Sequence, residues 1–138
     1  MSYELAKEWL RASQLDLENI GYIIKVEHLT SIIAFHSQQS VEKTLKALLV
    51  SKKLPIPRVH SLNKLFSLCA TDIKNDNFDL VQLLDSLYIE SRYPGEMGLL
   101  PYGQPTLEDA KEFYTFANEL FEKVRNQLNI PIEEIKAK

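Results

Sequence analysis

Apolar residues recur along this chain at intervals of three and four and nowhere in strict alternation, which predicts helices and no half-buried strands. Over residues 3–25, Ala6, Leu10, Ser13, Leu17, Ile20 and Ile24 fall on one helical face, with Trp9 and Tyr22 beside it. Gly21 weakens this first helix by about 1 kcal/mol relative to alanine, yet the stripe continues past it. A second helix is expected over residues 29–53, with Ala34, Val41, Leu45 and Leu48 as its core stripe and Pro55 and Pro57 as its stop. Ser61 is placed to N-cap a short helix built on Leu62, Leu65, Phe66 and Cys69. After a polar break, residues 78–91 put Leu80, Leu84 and Leu87 on one face. Thr106, with Asp109 three residues on, forms a near capping box for a last helix. That helix buries Ala110, Phe113, Ala117, Leu120, Val124 and Leu128 before Pro131 ends it. Amphipathic helices with mostly short connections imply an all-α fold, an antiparallel up-and-down bundle of four to five helices, with residues 1–130 as the bundle and 131–138 as a C-terminal tail.

Two places depart from simple bundle patterning. The first is residues 92–105, Arg-Tyr-Pro-Gly-Glu-Met-Gly-Leu-Leu-Pro-Tyr-Gly-Gln-Pro, which hold three of the chain's 4 glycines and three of its 6 prolines. Connections longer than about 12 residues are uncommon in compact domains and tend to carry function or be disordered. Arg92, Tyr93 and Tyr102 argue for function, because a guanidinium grips phosphate in bidentate fashion and aromatic rings stack on bases. The alternative is a plain helix connector whose tyrosines cover the core. The second place is a stripe on the second helix, Ile32, Phe35, Gln39, Glu42, Lys46 and Leu49, apolar at both ends and polar in the middle. Such a stripe could line a cleft. Read on spacing alone, Glu42 and Lys46 at i and i+4 are an exposed helix pair worth about 0.3 to 0.5 kcal/mol.

Composition narrows the possibilities without naming one. With 138 residues, 45% hydrophobic and 25% charged, the chain reads as one soluble domain able to bury about two-thirds of its unfolded surface. A net charge of −3 argues against a protein that coats nucleic acid by bulk electrostatics, although a local basic cleft remains compatible with it. The lone Cys69 lies in an apolar segment, and neither a membrane span nor a signal peptide is legible, so a cytoplasmic location is expected. The familiar catalytic motifs are absent: there is no phosphate loop, no Cys-x-x-Cys and no His-Glu-x-x-His. His28 and His36 lie eight residues apart, about 80° around a helix, and cannot clamp one metal. No metal or cofactor is expected. His36 reads as a bundle or interface histidine and His60 as a turn residue, with catalysis at either the minority reading.

Several of these pieces occur together in an order that resembles a known family. Trp9-Leu10, Ala12 and Asp16-Leu17 are followed by residues 34–49, with their Gln38-Gln39, Glu42-Lys43 and Lys46 core; then come Val59-His60-Ser61-Leu62 and finally Ser91-Arg92-Tyr93-Pro94. This series is similar to the HEPN family, the higher eukaryotes and prokaryotes nucleotide-binding domain, over residues 5–128. The resemblance implies a helical bundle, commonly a homodimer, with a cleft formed by the second helix and the Arg-Tyr-Pro segment. It also implies a role as nucleotide-binding module, as partner of a minimal nucleotidyltransferase, or as metal-independent ribonuclease. The ribonuclease branch carries an Arg, four to six residues, then a His. Here the positions after Arg92 are Met97, Gly98 and Leu99, so the imidazole for 2′-hydroxyl chemistry is missing from that motif. The expected function is therefore a non-catalytic nucleotide- or partner-binding module, the accessory half of a nucleotidyltransferase or toxin–antitoxin-like system. Its ligand site comprises Arg92, Tyr93, Glu42, Lys46, Gln39 and Tyr102. The alternative is a ribonuclease with a noncanonical site in which His60 or His36 replaces the absent base.

Overall fold

The structure, a computed structural model, describes residues 2–90 and 103–136, leaving out the side chains of residues 89 and 90. Among these it contains five α-helices: α1 (Ser2–Ile23), α2 (Thr30–Ser51), α3 (Leu62–Leu68), α4 (Phe78–Glu90) and α5 (Leu107–Gln127). Single 3-10 turns stand at Glu27–Leu29 and Ile132–Glu134, and no strand element occurs among the described residues. The fold is thus an all-α bundle, as the periodicity requires.

The predicted helix starts hold to within one residue and the predicted ends to within three, and the reasons are chemical. Ser61 accepts from the Lys64 amide at 3.3 Å and opens α3. Thr106 and Asp109 exchange side chain to backbone bonds of 3.0 Å each, completing a capping box. At the end of α2, Lys53 adopts φ 61°, while its amide donates to Val50 O and that of Leu54 to Leu49 O. This is a Schellman cap with lysine in the place usually given to glycine. Asn129, at φ 57°, closes α5 in the same way, with the buried Ile130 following it.

Helix α2 is the axis of the bundle and packs against each of the other four, most extensively against α1. Small hydroxyl residues let these two antiparallel helices approach closely: Ser13 Oγ lies 2.7 Å from Ser40 Oγ and 2.8 Å from Thr44 Oγ1. The core is formed by the expected stripes, including Leu10, Leu17, Ile20, Val41, Leu45, Leu84, Phe113 and Val124, all 2% exposed or less. Phe121, which is not part of the stripe read for the last helix, is also core at 1% exposure, because the α5 face is wide enough to include it. The chain after α5 turns back on α1: Ile135 is buried, Lys7 Nζ reaches the Glu134 carboxylate at 3.0 Å, and Arg11 donates to the Glu134 carbonyl at 2.8 Å.

Candidate functional site

The middle of α2 buries polar side chains, Gln38, Glu42 and Lys46 among them, that a bundle axis would ordinarily exclude. Glu42 is 4% exposed and Lys46 is 7% exposed, so the exposed helix pair expected from spacing is instead a buried one. Rotation of α2 about its axis decides this, turning the Glu42–Lys46 edge under α1 and under the connection to α3. Lys46 Nζ lies 2.8 Å from Glu42 Oε2 and 5.5 Å from the centre of the Trp9 ring on α1, a cation–π contact that replaces part of its lost hydration. Glu42 also accepts from Gln38 Nε2 at 3.2 Å and from His60 Nδ1 at 3.2 and 3.3 Å. Both carboxylate oxygens are therefore occupied, as burial demands.

His60 is held from three directions. Its carbonyl accepts from Gln38 Nε2 at 2.9 Å, its Nδ1 donates to Glu42, and its ring lies 5.2 Å from that of Tyr88 on α4. The residue after it, Ser61, is the α3 cap. That cap is reinforced by Asp85 of α4, which accepts from the Leu62 amide at 2.7 Å and the Asn63 amide at 3.2 Å. Yet the His60 side chain remains 50% exposed, and among the described residues its Nε2 has no hydrogen-bond partner. A buried carboxylate fixing Nδ1 of a half-exposed ring, with Nε2 unpartnered among the described residues, is an arrangement suited to accepting or donating one hydrogen bond, or one proton, at a defined point. Phe35 stacks on Tyr88 at 5.9 Å and 14°, extending an aromatic edge along α2 and α4.

Of the residues expected to form the site, Glu42, Lys46 and His60 meet at this corner, with Gln39 beside it donating to Gln38 Oε1 at 2.7 Å. Arg92, Tyr93 and Tyr102 lie outside the described residues. Gln38 was not expected as a site residue, although its spacing of four from Glu42 was a usable signal. His36 belongs to a different cluster. Its Nδ1 donates to Asp16 Oδ1 at 2.8 Å and its Nε2 receives Asn19 Nδ2 at 3.1 Å, while Lys43 Nζ holds the other Asp16 oxygen at 2.8 Å. Both ring nitrogens of His36 are thus engaged. Cys69 is buried, and burial, followed by the charge of Asp72, pushes its thiol up to about 11, which keeps the nucleophilic thiolate scarce at neutral pH. No group of three or more His, Cys, Asp or Glu among the described residues is placed to hold a metal ion, and no described helix is long and apolar enough to cross a membrane. A groove of about 600 Å³ between the start of α4 and α5, lined by Asp76, Glu108, Glu112 and Glu119 among others, shares no residue with the His60 corner.

Fold and site together define a small all-helical domain whose central helix presents a buried acid–base pair to a half-exposed histidine. The chain belongs to the HEPN domain family, which it matches over residues 6–127. It is 29% identical over 136 residues to a Methanocaldococcus jannaschii protein named "Putative toxin MJ1304", the match covering 89% of this chain and 88% of that one. The crystal structure of ST0689, described as an archaeal HEPN homologue, superposes with a TM-score of 0.65 at 29% identity, covering 89% of this chain and 97% of the other.

Proposed function

We propose that this HEPN domain is a non-catalytic module that binds the phosphate of a nucleotide, or of a nucleotide-bearing partner, at the His60–Glu42 corner. It works as the accessory half of a minimal nucleotidyltransferase system of the toxin–antitoxin kind, as a cytoplasmic homodimer. The observation that carries this reading is the pinning of a half-exposed His60 by backbone, side chain and ring face, with its Nε2 unpartnered among the described residues. Tyr88, which touches His60, stands four residues before Arg92 in the chain, one helical turn's worth of sequence, and Tyr93 follows directly. In this reading Arg92 grips the phosphate, Tyr93 and Tyr102 supply stacking or a hydroxyl, and Gln39 completes the polar edge. Lys46, already paired and buried, acts by holding Glu42 rather than by meeting the ligand. The name of the Methanocaldococcus relative accords with the toxin–antitoxin setting.

Calorimetric titration of nucleotides and of a partner nucleotidyltransferase tests it. Arg92→Ala is expected to cost about 1.5 to 3 kcal/mol, roughly ten- to a hundredfold in affinity. Arg92→Lys is expected to be nearly as damaging, because an ammonium lacks the planar fork. His60→Gln is expected to weaken binding in the same experiment. Unchanged affinities in all three variants would overturn the proposal.

A ribonuclease is the second reading, favoured by one specific feature: a half-exposed, carboxylate-held imidazole whose Nε2 has no partner among the described residues has the geometry of a general acid or base. Cleavage of RNA by the wild-type protein in the presence of a chelator, abolished by His60→Gln, would establish it over the first.

A further inference from the structure

A large share of this chain's acidic surplus lines one groove. Residues 43–71 hold six lysines and arginines and neither an aspartate nor a glutamate, so all 19 carboxylates lie elsewhere. Asp76, Glu108, Glu112 and Glu119 line the groove of about 600 Å³ between the start of α4 and α5, with Lys111 the one cation in that lining among the described residues. Four acids against one base leave an excess of three negative charges, as many as the −3 net charge of the whole chain. Glu108, Glu112 and Glu119 recur at intervals of four and seven and so share one stripe of α5, although like charges at i and i+4 weaken an isolated helix. Among the described residues no cation pairs with any of the three, and Asp76 is met by the exposed Lys123 at 3.4 Å.

Charge is only half of this surface. The same lining includes Leu80 of α4 and Phe116 of α5. The Phe116 ring lies 6.4 Å from that of Phe66, which with Ala70, Ile73 and Phe78 lines a second, mainly apolar groove of about 580 Å³. Residues 75–78 stand between the two: Asn75 and Phe78 line the second groove, Asp76 and Asn77 the first. Phe78 is 57% exposed, a large apolar ring left in water at the first position of a helix. Local chemistry holds it there. Asn77 Oδ1 accepts from the Leu80 amide at 3.3 Å and caps α4, and Gln127 Nε2 of α5 donates to the Asp72 carbonyl at 3.0 Å, tying the preceding segment down.

Charge and apolar area together select the occupant. A polyamine would use the carboxylates and leave Phe78, Leu80 and Phe116 idle, and an anionic polymer or lipid surface would be repelled. A second copy would have to offer its basic stretch of residues 43–71, in which Lys43, Lys46 and Lys52 are already paired with Asp16, Glu42 and Asp72. A helix with lysine or arginine along one edge and large apolar side chains along another satisfies both halves of the surface. The carboxylate stripe from Glu108 to Glu119 rises about 17 Å, roughly three turns of such a helix. We infer that the α4–α5 groove, with the apolar groove beside Phe78, is a docking surface for a basic amphipathic helix of another protein. Neither groove includes His60, Glu42, Lys46 or Tyr88, so this surface stands or falls apart from the phosphate reading.

The test is fluorescence anisotropy with a labelled peptide of about 14 residues, leucine and lysine at amphipathic helical spacing, which is about 21 Å long as a helix. Wild type is compared with the groove variant Glu108→Gln/Glu112→Gln/Glu119→Gln, with Phe78→Ser, and with Glu18→Gln/Glu27→Gln/Glu133→Gln, which removes three exposed carboxylates that line neither groove. All are checked for an unchanged thermal midpoint. The groove variant is expected to lose about tenfold in affinity as three exposed charge pairs go, and Phe78→Ser about tenfold as its apolar contact goes. The variant outside the grooves is expected to bind as wild type does. The inference falls if that outside variant weakens binding as much as the groove variant, or if Phe78→Ser keeps wild-type affinity. It also falls if spermine or oligolysine competes at equal charge as well as the amphipathic peptide does, which would make the groove a general cation site. A smaller mass by light scattering for the groove variant than for wild type would make the occupant a second copy and overturn it too. If both groove changes weaken the peptide while His60→Gln leaves nucleotide affinity untouched, the docking surface stands and the phosphate reading fails.

Discussion

Glu42 is the residue whose meaning changes most between sequence and structure. As an exposed i, i+4 partner of Lys46 it would contribute a few tenths of a kcal/mol; buried, it holds an ammonium, an imidazole and an amide at once. Removing one partner of a buried pair leaves an uncompensated charge, so Glu42→Gln is expected to destabilise the fold by about 3 to 5 kcal/mol. Replacing both members restores a neutral interior, and Glu42→Gln/Lys46→Met is expected to cost clearly less than the sum of the two single changes. Urea denaturation of the four proteins measures that coupling, and a value near zero would mean the pair is no stronger than a surface one. Spacing by four placed these residues side by side but carried no information about which side of α2 faces the bundle.

At the level of elements, α3 illustrates how a weak helix is made dependable. Seven residues are too few for a helix to persist on propensity alone. Its first turn is instead supported twice, by the Ser61 hydroxyl within the segment and by the Asp85 carboxylate from α4. The local half was legible, because a serine before an apolar run is a capping signal. The remote half was not, since Asp85 lies more than twenty residues away along the chain. Asp85→Ala is expected to cost about 1 to 2 kcal/mol, the size of a lost cap, and to speed hydrogen exchange of the Leu62 and Asn63 amides. Exchange rates unchanged from wild type would assign the support of α3 to packing alone.

For the whole molecule, the proposed homodimer needs an apolar surface, and the structure alters where that surface is to be sought. Two aromatic residues of α5 that lie off its core stripe do not supply it, because Phe121 is interior and Phe116 packs on the core. The exposed apolar residues include Leu15 at 60% and Tyr22 at 82%, seven positions apart and thus on one outward face of α1. Light scattering at micromolar concentration is expected to give twice the 15.9 kDa chain mass, and a monomer mass would remove self-association from the proposal. The turn after α5 belongs to this scale as well: Ile135 is buried, and Glu134 meets Lys7 and Arg11 on α1, so these residues help close the bundle.

Helix positions, their apolar faces and their caps were readable in advance, because they depend on side-chain period and on hydrogen bonds spanning three or four residues. Ser61, Thr106 with Asp109, and the stripe Val41, Leu45 and Leu48 are of this kind. That residues 43–71 hold six lysines and arginines and no aspartate or glutamate is likewise written in the chain. What three dimensions decided is which polar residues meet. His60 reaches Glu42 across 18 residues, Asp85 reaches α3 across 23, and Trp9 comes to Lys46 from another helix. These contacts depend on the rotation of each helix about its own axis and on how closely its neighbours pack. Both are set by the whole core together, and no local window of sequence contains them.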